Sequence, residues 1–76
     1  MEERIVVNPK IMVGKPIIRG TRIPVDAILR RLADGMSIED ILEEYPNLNE
    51  EDIRAALRYV SDMVAGEEII PIVETA

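Results

Sequence analysis

A mainly helical fold is what this sequence predicts: three helices, a short β element before them and an extended segment after them. Three observations predict it. From residue 24 on, aliphatic residues recur at i, i+3, i+4 and i+7 in three successive stretches. Each stretch is bounded by capping and stop signals. Before residue 24, β-branched residues prevail, punctuated by Gly and Pro.

The first element is a strand over Arg4-Ile5-Val6-Val7, ended by Asn8-Pro9. Lys10-Ile11-Met12-Val13 reads as a second apolar piece. Pro16 to Ile23 is β-branched and broken by Gly20-Thr21, which suits a small hairpin. Two strands alone do not hold in water, so this ribbon must pack on the helices or on another chain.

The first helix is expected to start with Pro24 at its first position and Asp26 in its first turn. Val25, Ile28, Leu29 and Leu32 form its apolar face, and Gly35 closes it. Ser37 caps the second helix, with Asp40 at the reciprocal position. Ile38, Ile41, Leu42 and Tyr45 give its face, and Pro46 stops it. Asn49 caps the third helix. Ile53, Ala56, Leu57, Val60, Met63 and Val64 form its long stripe, and Gly66 ends it. The expected lengths are roughly 10, 8 and 16 residues. Pro46-Asn47-Leu48 is short enough for a helix-turn-helix connection. Glu67 to Val73 reads as extended, confined by Pro71 to an edge strand or a tail. The chain is thus one domain, with a β element and basic turn over 1–23, a helical core over 24–65 and an extended tail over 67–76.

With 76 residues, a monomer buries only about 60% of its unfolded surface, so a homodimer is the expected state. The first residues are charged and no long apolar run follows, which predicts a cytoplasmic protein without a membrane span. No His or Cys is present. That removes the commonest general base, the thiolate nucleophile and the usual metal ligands. Gly14-Lys15 lacks the rest of a phosphate-binding loop, and Asp34-Gly35 lacks calcium-loop spacing. The expectation is a non-catalytic protein with no metal and no cofactor.

Charge is uneven. The chain carries a net −6, yet residues 1–31 hold seven Lys or Arg against three acids, and residues 32–76 hold two against twelve. Different partners for the two halves are one explanation; neutralisation of one half by the other within a dimer is another. The basic group Lys10, Lys15, Arg19, Arg22, Arg30 and Arg31 is the best phosphate-binding candidate, because Lys and Arg beside glycine-rich backbone reach phosphate oxygens readily. The competing reading of Arg19 and Arg22 is that they fix the turn by bonding carbonyls or pair with a partner's acids. Arg54 and Arg58 on the third helix are weaker DNA candidates. That helix opens on Glu50, Glu51 and Asp52, which repel a polyanion, and a salt-bridge ladder along Glu50, Arg54, Arg58 and Asp62 accounts for both arginines.

The string Gly14-Lys15-Pro16, then Ile18-Arg19-Gly20-Thr21-Arg22-Ile23-Pro24-Val25, is specific. With Ile28-Leu29, Leu32-Ala33, Gly35, Ser37, Ile41-Leu42, Tyr45-Pro46, Leu48, Asp52-Ile53 and Ala56-Leu57, it resembles the small prokaryotic family called domain of unknown function 433, over about residues 5–65. The resemblance implies a homeodomain-like three-helix core. It further implies an antitoxin that binds a PIN-like nuclease toxin and represses its own operon through DNA. On that reading Glu68, Ile69, Ile70, Ile72 and Val73 are the toxin-binding candidates, since an acidic, apolar strand can add to a sheet edge. The alternative is a protein-interaction or dimerisation module without DNA binding, whose tail closes the domain's own sheet against Arg4 to Val7.

Overall fold

The computed structural model describes residues 3–66. The toxin-binding candidates Glu68 to Val73 lie outside them. Strands β1 (Ile5–Val7) and β2 (Pro16–Ile18) lead into helices α1 (Val25–Ala33), α2 (Ile38–Glu44) and α3 (Glu50–Gly66). The strands pair antiparallel, Ile5 opposite Ile18, Val6 opposite Ile17 and Val7 opposite Pro16. The mainly helical architecture with a two-stranded N-terminal element is therefore as the periodicity predicts. No described helix is long and apolar enough to cross a membrane.

The hairpin works on two faces. Side chains alternate across a strand. Ile5 and Ile18 accordingly join the core with Val25, Ile28, Ile41, Leu48, Ile53, Ala55 and Ala56. Ile17 is equally buried but points the other way, alongside Val6 and Ile11. Adjacent isoleucines thus serve opposite sides of one strand.

The segment between the strands corrects a sequence expectation. Lys10 to Val13, read as a second apolar piece, forms no strand. Ile11 donates its N–H to the Asn8 carbonyl, and residues Met12–Gly14 form a single 3-10 turn. Met12, Val13 and Gly14 have φ of 51°, 55° and 79°. A β-branched residue in this left-handed region costs roughly 1–2 kcal/mol. The apolar character of Val13 is not spent on packing either, since its side chain is almost wholly exposed.

A second correction is a shift of one residue. Pro24 is the N-cap of α1 in extended conformation, not its first helical residue. At the far end, Gly35 (φ 91°) donates to the Leu32 carbonyl and Met36 to the Arg31 carbonyl. This pair of bonds is a Schellman closure, and it returns Met36 onto the core. Ser37 accepts from the Asp40 N–H at 3.1 Å and starts α2.

Helix α3 departs from its expected stripe. Ile53, Ala55 and Ala56 are fully buried, and Val60 is half-buried, but Leu57, Met63 and Val64 are exposed. The buried face is rotated toward the two alanines. Small side chains there let α3 approach α1 and β1 closely, and the last turns of the helix run past the core. Leu48, in the α2–α3 connection, fills the core from outside any helical repeat.

The first turn of α3 is the strongest local construction. Asn49 Oδ1 accepts from the Asp52 N–H at 3.0 Å, and Asp52 Oδ2 accepts from the Asn49 N–H at 3.0 Å. This is a reciprocal capping box. Asp52 is only 8% exposed, and its other oxygen takes the Arg4 guanidinium at 2.9 Å. The Arg4 carbonyl in turn accepts from the Arg19 N–H at 2.7 Å. Asp52→Ala therefore lowers stability by on the order of 2 kcal/mol, because a cap and a charge-assisted bond go together. Glu51→Ala, one residue away on the exposed side, changes it by under about 0.5 kcal/mol. Urea unfolding midpoints of the two variants check this.

Candidate functional site

The turn from Arg19 to Arg22 joins β2 to α1. Thr21 builds it. The Thr21 hydroxyl donates to the Ile18 carbonyl at 2.7 Å and accepts from the Ile23 N–H at 3.0 Å. The Thr21 N–H also reaches the Ile18 carbonyl, and Ile18 N–H bonds the Ile23 carbonyl. Gly20 sits at φ 80°, which an L side chain rarely adopts. Neither arginine contributes to this frame. The sequence left turn-fixing by Arg19 and Arg22 open as one of two readings beside phosphate contact. The signal that points to Thr21 instead is a short hydroxyl placed just after the glycine of a tight turn.

Arg19 and Arg22 are both exposed. They flank opposite sides of the turn. Arg22 rims an open groove of about 510 Å³ with Val6, Asn8, Ile11, Ile17, Gly20 and Thr21. Arg19 borders a polar concavity of about 400 Å³ with Glu3, Arg4 and Asp52. The outer face of the hairpin is thus apolar at its floor and cationic at its edge.

The remaining cations divide into two groups. Lys15 pairs loosely with Asp26 in the first turn of α1, at 3.4 Å. Arg54 pairs with Glu50 at 3.4 Å, one rung of the expected ladder. Arg58 reaches Glu51 at 3.9 Å, two turns back along the helix. Arg31 is held most firmly. Its Nε and Nη2 both donate to Glu44, its Nη1 donates to the Ala27 carbonyl, and its guanidinium lies 5.0 Å from the centre of the Tyr45 ring. Arg31 joins α1 to α2. Among the described residues, Lys10, Arg19, Arg22 and Arg30 are the cations whose side chains have no hydrogen bond or ion pair.

The Arg31 clasp shifts the titration of both of its partners. The hydrogen bond from Arg31 holds the Glu44 carboxyl below its ordinary value of 4.5, with partial desolvation opposing and the arginine's charge assisting. The Arg31 guanidinium is raised by the same bond. Folding lowers the Glu44 pKa, so the clasp's contribution is complete above that ordinary value and is lost as pH falls through the lower folded value.

These features define a small three-helix domain that presents a rigid, cation-bearing turn beside its β element. The sequence profile of a family described as "Protein of unknown function (DUF433)" matches residues 5–60, and the chain belongs to that family. A crystal structure of a DUF433 member from Anabaena variabilis is similar in fold, with TM-score 0.78 and 31% identity, over 86% of this chain and 64% of that one. The uncharacterized protein y4eO of Sinorhizobium fredii is 44% identical over 52 residues, which are 68% of this chain and 24% of the relative. An uncharacterized protein of Archaeoglobus fulgidus is 71% identical over 28 residues, 37% of this chain and 78% of that one. The chain therefore spans about a quarter of the length of the Sinorhizobium relative.

Two outcomes follow from this geometry. Thr21→Val, which keeps the shape and removes the hydroxyl, lowers stability by about 1–2 kcal/mol by leaving the Ile23 N–H without its acceptor. Arg22→Ala stays within about 0.5 kcal/mol of the parent; thermal melts of both check the contrast. For the clasp, the parent is more stable than Glu44→Gln at neutral pH. The gap between their urea midpoints narrows as pH falls below the ordinary value of 4.5 and closes below the lowered folded value, where the carboxyl is protonated in both folded and unfolded chains.

Proposed function

We propose that the protein is a non-catalytic antitoxin that acts as a homodimer, engages a PIN-like toxin and contacts its operator DNA through the Arg19–Arg22 turn. One observation carries the DNA half. In an acidic chain whose other described cations are paired, Lys10, Arg19, Arg22 and Arg30 are left without an acidic partner. An exposed cation with no partner in its own fold gives up no protein contact when it meets a phosphate, whereas a paired one must first break its bond. Thr21 and Gly20 hold the turn without help from either arginine, so both guanidinium groups are available for contact.

Lys15, Arg31, Arg54 and Arg58 take a lesser part in this reading, since each is engaged by an acid of its own chain. The toxin half rests on the likeness of the Gly14 to Val25 signature to antitoxin partners of PIN-like nucleases. Glu68, Ile69, Ile70, Ile72 and Val73 are its proposed contact.

A second reading has an observation of its own. Helix α3, the element that a homeodomain-like domain lays in the major groove, opens on exposed Glu50 and Glu51 and bears exposed Leu57 and Val64. Those residues suit a protein partner better than a polyanion. On that reading the domain is an interaction module without DNA binding.

Salt titration separates the two. Binding to the DNA upstream of its own reading frame weakens as salt rises, with a slope of about −0.9 per phosphate contact. Arg19→Ala with Arg22→Ala reduces that slope by about 2 and lowers affinity on the order of tenfold or more, with the melting temperature unchanged. No binding at low salt, with or without the product of the adjacent reading frame, rejects the DNA half and leaves the interaction module.

A further inference from the structure

We infer that Asp26 restrains the phosphate contact of the Arg19–Arg22 turn by holding Lys15 away from it. The inference deepens the DNA half of the preceding section and rests on that reading. The backbone sets the arrangement. The Ile18 N–H donates to the Ile23 carbonyl, and Ile17 bridges Pro24 in antiparallel fashion. Continuing that register, Arg19 stands opposite Arg22 at the closed end of this second ribbon, and Lys15 stands opposite Asp26 at its open end. The bond from Lys15 to Asp26 agrees with the register. Residues two apart along extended backbone share a face. Lys15 thus lies on the face of Ile17, the outer face of the hairpin, about 13 Å along the ribbon from the Arg19–Arg22 end. Each strand of duplex DNA carries a phosphate per about 3.4 Å of its axis. A duplex that meets the turn along this face therefore carries phosphates past Lys15.

What holds Lys15 back is a weak bond. Its Nζ meets Asp26 Oδ2 at 3.4 Å, and the two side chains are 53% and 44% exposed. Such a pair is screened by salt and readily exchanged. Among the described residues, neither Lys15 nor Asp26 has a second side-chain partner. Asp26 is kept in place by a duty to its own helix. It stands in the first turn of α1, whose N-cap Pro24 supplies no side-chain acceptor, and the helix dipole favours a negative charge there. The carboxylate is thus fixed where it neutralises one cation of the phosphate-facing side. A phosphate that approaches Lys15 must displace it or share the lysine with it, so the parent binds with one contact fewer than this face can offer.

A cycle of variants in the full chain tests this, read on the DNA upstream of its own reading frame. Asp26→Asn keeps the shape of an exposed side chain and removes its charge. It should steepen the salt slope by about 0.9, one added phosphate contact, and raise affinity on the order of tenfold at about 0.1 M salt. Lys15→Ala on top of Asp26→Asn should remove the added slope and most of the gain in affinity, whereas Lys15→Ala in the parent should leave the slope as it was. A loss of about 0.9 from Lys15→Ala in the parent means that Lys15 already meets phosphate, and it overturns the proposal. A steeper slope that survives Lys15→Ala also overturns it, because the added contact is then not Lys15. So does a lowered melting temperature of Asp26→Asn with the slope unchanged, which makes the pair a brace of the ribbon. Absence of binding by both the parent and Asp26→Asn at low salt is a separate result: it rejects the DNA reading itself, and the proposal with it.

Discussion

The buried carboxylate of Asp52 is the constraint on which the rest of the fold depends. One of its oxygens closes the capping box with Asn49, and the other receives Arg4 from just before β1. A hairpin of two three-residue strands has no stability of its own. It is held because Ile5 and Ile18 enter the helical core and because Arg4 is tied to the start of α3. A carboxylate that is 8% exposed could not be tolerated without such partners; here the Arg4 guanidinium satisfies one oxygen and the Asn49 N–H the other. The N-terminus of α3 is therefore a junction of strand, turn and helix.

That junction explains why the acids at the head of α3 are not interchangeable. Glu50 and Glu51 are exposed and reach only arginines of their own helix, whereas Asp52 is turned inward. The same anchoring carries through the Arg4 carbonyl to the backbone of Arg19. The cationic turn is consequently placed by the core on one side and by Thr21 on the other. Its two arginine side chains are free of structural duty although its threonine and its backbone are not.

The split between paired and unpaired cations is the chemical content of the domain. Paired ones brace helices: Arg31 clasps Glu44 across α1 and α2, and Lys15 leans on Asp26. Unpaired ones cluster in sequence in the first 31 residues, and two of them bracket the Thr21 turn. The apolar residues outside the core also have separate places. Val6, Ile11 and Ile17 floor the groove beside Arg22, and Leu57 and Val64 lie on the outer stripe of α3. The domain thus carries unpaired cations on one surface and exposed aliphatic side chains on another.

By itself the sequence determined the three helices, their stops and the caps of the second and third, the β character of the first residues and the concentration of positive charge before residue 32. These are local properties: a 3.6-residue repeat, a Ser or Asn before it, a Gly or Pro after it. Four matters were left to the tertiary structure. Met12 to Gly14 turns left-handed because the connection between paired strands must reverse there, whatever the β propensity of Val13. Ile17 and Ile18 separate to opposite faces because pairing with β1 fixes the pleat. The stripe of α3 divides into a buried half and an exposed half because the core ends before the helix does. Which arginines are engaged is decided by acids far away in sequence, such as Glu44 for Arg31 and Asp52 for Arg4. A sequence displays a charge and its neighbours along the chain, but whether that charge is neutralised depends on what folding brings within hydrogen-bonding distance.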